Sequence, residues 1–150
     1  MKSSSSHLAR RFLGALSRAE PANLDVEWVR SHLLQGELGL WRTMPAHDRR
    51  HSIEVARRYQ SASDVEATRD EIAAALLHDV GKVASGLGVF GRVVATIVGA
   101  RGPRFSEYHD HERIGADMCR RAGSSRLTCG MIDGSAGVGY IDRLRHADEI

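Results

Sequence analysis

Apolar residues along this chain recur every three or four positions and almost nowhere alternate, which is the period of helices packed on one face. The spacing predicts about eight helical segments: His7 to Ser17, Leu24 to Leu34, Glu37 to Met44, Asp48 to Tyr59, Asp70 to His78, Val89 to Val98, Ser106 to Ala122, and shorter helices from Ser125 onward. Helix breakers fall between them, at Pro21, Gly36, Pro45, Gly81, Gly86 with Gly88, Gly102-Pro103 and Gly123. The run Gly134 to Gly139 reads as a flexible loop. The fold class is therefore all-α, a single compact multi-helix bundle. One segment is not amphipathic: from Ile72 to Leu77 every side chain is Ile, Ala or Leu, so this helix should be buried on most of its circumference. It runs directly into His78-Asp79, and a carboxylate in or beside a core needs a partner, a hydrogen bond or a metal.

A chain of 150 residues fits one domain with a core of its own. Residues 1–20 read as a flexible Ser-rich lead and a first short helix, and residues 21–150 as the domain. The 42% hydrophobic and 27% charged content is that of an ordinary globule, and no apolar run approaches the ~20 residues that span a bilayer, so no membrane partner is expected. Arg10 and Arg11 interrupt the stretch where a signal peptide would need its apolar core, so no secretion signal is expected. Cys119 and Cys129 stand ten apart without a CxxC spacing and suit buried thiols as well as a disulfide; a cytoplasmic location is the expectation.

A net charge of +2 does not call for a nucleic-acid partner. Only Lys2 and Lys82 are lysines, and the Arg pairs along the chain read as solvated helix faces, with Arg49-Arg50 set apart by their place beside His51. Gly86-Leu87-Gly88-Val89-Phe90-Gly91 matches the dinucleotide fingerprint GxGxxG, but a helix and not a strand precedes it, so that reading is rejected.

Histidine and aspartate cluster at four places: His47-Asp48 with His51, His78-Asp79, His109-Asp110-His111 and His146-Ala147-Asp148. Imidazole mixed with carboxylate, without clustered thiolates, suits Mn, Fe, Co, Ni or Zn and not a structural zinc knuckle. His7, His32, His47 and His146 each read as surface or satisfied core residues. Asp48 suits a helix N-cap, since its segment starts just after Pro45. The central pair also suits a core histidine bonded to a capping Asp, with Gly81 ending the helix.

The order His51, His78-Asp79 with Gly81-Lys82, and Asp148 resembles the H...HD...D signature of the HD superfamily of metal-dependent phosphohydrolases. Asp48 to Ala56 is similar to that family's first-ligand helix, Ala74 to Lys82 to its HD helix and turn, His111 to Met118 to its H-x-x-x-G-A segment, and Leu144 to Asp148 to the helix with the last Asp. The resemblance implies that His51, His78, Asp79 and Asp148 ligate a divalent metal. It implies an activated water attacking phosphorus in a small phosphorylated substrate, such as a nucleotide. Asp79 would then orient the water, Lys82 would contact phosphoryl oxygens, and Arg49 or Arg50 would clamp the phosphate. His111 matches the extra His of the two-metal branch and is the candidate ligand for a second ion. The His-His pair and GYP-type sequence of that branch have no counterpart in this chain. Two other readings stay open: a non-catalytic HD module that binds a nucleotide or protein in signalling, and a structural domain whose His51, His78 and Asp79 form a core network.

Overall fold

The computed structural model of the chain describes residues 17–62, 64–85 and 110–150. Among them the regular structure is entirely helical: α1 (Asn23–His32), α2 (Gln35–Thr43), α3 (Ala46–Ser61), α4 (Arg69–Leu77), a 3-10 turn (Val80–Ser85), α5 (His111–Arg121), α6 (Arg126–Asp133) and α7 (Val138–Glu149). The helix expected from Val89 to Val98, the glycine-rich segment before it, and nearly all of the lead and first helix lie outside the described residues. No described helix is long and apolar enough to cross a membrane.

α4 is the axis of the fold. Thr68 caps it, accepting from the Glu71 amide while the Glu71 side chain returns to the Thr68 amide, so two of the amides that a helix start leaves unpaired are satisfied. From Ile72 to Leu77 every residue is fully buried, as the unbroken apolar run predicts. α3 and α6 pack most closely on it, with α1 and α2 completing the cover. Val29, Trp41, Val55, Tyr59 and Cys119 fill the space around it.

Two local expectations are corrected. Pro45 occupies the N-cap of α3, and Asp48 lies in the first turn, where it pairs with His47 at 3.1 Å. The chain enters this helix already at Ala46, because the fixed φ of proline suits a helix start. Gly81 is no left-handed cap: α4 ends at Leu77 and tightens into the 3-10 turn, with positive φ confined to Gly123 and Gly134 among the described residues. What requires glycine at position 81 is close approach. A Cβ there would collide with the His111 carbonyl oxygen and lie 2.7 Å from the Gly115 amide nitrogen. The 3-10 turn thus packs directly on the backbone of α5, which brings His111 toward the end of α4.

Gly134 does end α6 in the left-handed conformation (φ 83°), but the expected flexible loop stops at Gly137, and Val138 and Gly139 already belong to α7. Cys119 and Cys129 are buried free thiols; burial pushes Cys119 up to about 12, so it is unreactive at neutral pH.

Candidate metal centre

Four helix ends or faces converge beside the C-terminus of α4. His78 is the residue at which α4 stops, and Asp79 follows it in the turn. The 3-10 turn carries Lys82, the first residue of α5 is His111, α3 contributes His51 and α7 contributes Asp148. Ligand atoms of His51, His78 and Asp79 all lie within 4.8 Å of one another. Asp148 Oδ1 stands 2.8 Å from His51 Nε2 and 3.4 Å from His78 Nε2. Asp79 Oδ1 lies 3.6 Å from His78 Nε2 and 3.8 Å from His111 Nε2, while its Oδ2 accepts from Lys82 Nζ at 2.7 Å. α7 does not fray before Asp148, because Leu144 and Ala147 are buried and Arg58 donates to the Ala147 carbonyl at 3.3 Å.

His78 is oriented by its backbone. Nδ1 lies 2.8 Å from the Ala75 carbonyl, which can only accept, so Nδ1 carries the proton and Nε2 faces the cluster. That Nε2 is buried between two carboxylates and makes no hydrogen bond among the described residues. An orphaned, pre-oriented imidazole nitrogen with two carboxylates and a second imidazole around it fits a divalent cation of the borderline class.

The electrostatics have the same sense. Burial opposes charging of His78, yet Asp79 and Asp148 outweigh it and raise its pKa to about 9. Burial likewise opposes ionisation of Asp79, but His78 and Lys82 hold its carboxyl well below the usual range. Asp148 follows the same pattern, with burial overcome by its hydrogen bond to His51 and by the positive charge of His78 beside it. Crowded carboxylates therefore draw positive charge to this point, and a cation that binds there competes with the proton on His78.

The cluster forms the base of a cleft of about 230 Å³. His78, Asp79, Lys82, His111 and Asp148 line its floor, and Met131, Ile132, Ile141 and Leu144 line an apolar wall. Glu112 and Arg145 also line it and were not singled out by sequence; the one signal for Arg145 was its position three residues before Asp148 on a helix.

Arg49 and Arg50 do not line this cleft and are engaged elsewhere. Arg49 donates to the Met44 carbonyl at 3.1 Å and to Glu20 at 2.6 Å, with its guanidinium over the Trp41 ring; Arg50 donates to the carbonyls of Ala19 and Ser17. Helix positions one and two before His51 are rotated by ~100° and ~200° from it, so neither arginine shares its face. His47 is taken by Asp48, His32 lies 2.8 Å from the Trp28 carbonyl, and His146 is exposed.

Comparison with the curated proteins and with the solved structures gave no match. A family model described as HD domain matches residues 49–135, more than half of the chain. The matched span contains His51, His78, Asp79, Lys82 and His111 and stops short of Asp148, whose place beside the two histidines is a feature of the structure. The match and the all-helical fold agree, and this chain belongs to the HD-domain family, whose members are mostly metal-dependent hydrolases.

Proposed function

We propose that this chain is a divalent-metal-dependent phosphohydrolase acting on a small phosphate ester, with nucleotides the first class to examine. The observation that carries the reading is His78 Nε2, buried, pre-oriented and without a hydrogen bond between Asp79 and Asp148. His51, His78, Asp79 and Asp148 would hold the ion, drawn from Mn, Fe, Co, Ni or Zn, and His111 is the candidate ligand for a second. When bound, the ion would supply a Lewis acid and lower the pKa of a water nucleophile.

The protein's own groups do the rest. Asp79 divides its oxygens between the cluster and Lys82, so it can orient a water while Lys82 stays fixed beside the floor of the cleft. Lys82 and Arg145 bring positive charge to the cleft lining, Lys82 as a point charge and Arg145 as a planar fork suited to two phosphoryl oxygens. The apolar side chains of Met131, Ile132, Ile141 and Leu144 would limit the water that competes for the contact at Lys82.

Hydrolysis of a panel of nucleoside monophosphates, cyclic nucleotides and sugar phosphates, by protein loaded with each of the five metals, tests the reading. The expected result is turnover of at least one ester, with Lys82→Ala losing kcat and Arg145→Ala raising KM by about tenfold or more at unchanged metal content. A stoichiometric metal with no hydrolysis of any ester selects the second reading, a non-catalytic binding module. That reading has in its favour that the Lys82 ammonium is already held by Asp79.

A further inference from the structure

The three helices that carry His51, His78 and Asp148 each also send one side chain into a second polar network. Tyr59 on α3 lies about two turns beyond His51, Glu71 on α4 about two turns before His78, and Arg143 on α7 five residues before Asp148. Tyr59 Oη donates to Glu71 Oε1 at 2.8 Å, and Arg143 Nη2 donates to both Tyr59 Oη and Glu71 Oε1. The Arg143 guanidinium lies over the Tyr59 ring, 4.0 Å from its centroid. Glu71 Oε2 accepts from the Thr68 amide at 2.8 Å and from its hydroxyl at 2.7 Å, so both carboxylate oxygens are used. Tyr59 is fully buried and Glu71 nearly so.

Stability alone is a poor reason for this arrangement. Buried ion pairs are often matched or exceeded by apolar residues of equal volume, and here Arg143 Nε is left buried without a partner among the described residues. Register is a better one. Beside the single bond from Arg58 to the Ala147 carbonyl, α7 buries only Leu144 and Ala147, a narrow contact that fixes its rotation weakly by itself. A slip of one residue would turn Asp148 by ~100° and shift it by ~1.5 Å, enough to carry its carboxylate away from His51 and His78.

We propose that Tyr59, Glu71 and Arg143 form a register clasp that ties together the three ligand-bearing helices, with Arg143 the positioning residue for Asp148. The proposal rests on the metal-centre reading above and adds to it a part of the molecule outside the cleft. Arg143 touches neither metal nor substrate; it acts by fixing the rotation of α7.

The test compares wild type, Arg143→Met, Arg143→Lys and Val29→Ala, the last removing a fully buried side chain on α1, a helix that carries no residue of the clasp or of the cluster. Co²⁺ titration followed by its visible absorption reads affinity and coordination, and hydrogen exchange reads the order of α7. Arg143→Met is expected to weaken Co²⁺ binding by about tenfold or more, the range seen when groups orienting ligands are removed. It should also speed exchange in Val138–Glu149, and Arg143→Lys should recover part of both. Val29→Ala should lower Tm while leaving the Co²⁺ affinity and spectrum as in wild type. Unchanged affinity and exchange in Arg143→Met, or an equal loss of affinity in Val29→Ala, would overturn the clasp. If wild type takes up no Co²⁺, the metal-centre reading fails, and the clasp is then decided by exchange alone: faster exchange confined to α7 in Arg143→Met supports it, and an unaltered pattern overturns it. Should Arg143→Met not fold, Tyr59→Phe, which removes one hydroxyl, is read by the same criteria with a smaller effect.

Discussion

Two carboxylate sites in this molecule, one at Glu37 and one around the buried Asp79 and the half-buried Asp148, differ in how completely they are satisfied. Glu37 is fully buried, and its oxygens accept from the Leu34 amide, Arg69 and Ser124, each at 2.8 Å. Around Asp79 and Asp148 the count does not close in the same way: two carboxylates crowd one buried imidazole whose Nε2 has no hydrogen bond, and the pKa of that imidazole rises to about 9. The first site is complete with protein groups and ties α2, α4 and the start of α6 together. The second leaves His78 Nε2 without a hydrogen bond between two carboxylates, lies at the floor of a cleft, and is the one suited to take a cation in place of the proton on His78.

The comparison can be broken from either side. The largest expected stability loss is at the satisfied site: Glu37→Ala should cost about 3 kcal/mol, since it leaves Arg69, Ser124 and the Leu34 amide without their acceptor. Denaturant unfolding measures it, and metal content of the folded fraction should not change. Gly81→Ala should cost about 2 kcal/mol by forcing the 3-10 turn off the His111 carbonyl. It should also displace His111 relative to Asp79, visible as altered metal affinity, which Glu37→Ala should leave alone.

A smaller effect appears with pH. Burial opposes ionisation of Glu71, but its bonds to Thr68 and Tyr59 and the charge of Arg143 hold its pKa below the ordinary 4.5. A group whose folded pKa is depressed adds stability that is present above the unfolded value and lost as pH falls below it. Tm should therefore fall as pH drops below about 4.5, and Glu71→Gln should flatten that slope. The smallest effect is expected for Arg49→Ala and Arg50→Ala, whose side chains serve Glu20, Met44, Ala19 and Ser17: turnover should stay within about twofold of wild type, against the rise in KM expected for Arg145→Ala.

Much of this was legible in the sequence where local pattern suffices. The unbroken apolar run gave α4 to within a residue, and Pro45 separated α2 from α3; Gly36, read as a breaker, lies inside α2, where close approach to the Ala122 carbonyl leaves no room for a Cβ. The HD pair, His51, Lys82, His111 and Asp148 were all named from spacing and resemblance, and the structure brings them together. What failed depended on rotation and approach. Adjacency to His51 promoted Arg49 and Arg50, although helix geometry turns them away, while Arg145 went unnoticed on the correct face. Gly81 looked like a helix end because the backbone of α5, which leaves no room for a Cβ, is invisible in the sequence. The buried networks were illegible for the same reason: Arg69 meets Glu37 across 32 positions and Arg143 meets Glu71 across 72.

The most direct measurement is the metal content, by elemental mass spectrometry, of wild type and Asp79→Ala purified without chelator or histidine tag. The account predicts stoichiometric Mn, Fe, Co, Ni or Zn in wild type, lost in a variant that still folds. No ion in wild type after incubation with all five, or equal content in Asp79→Ala, would contradict it.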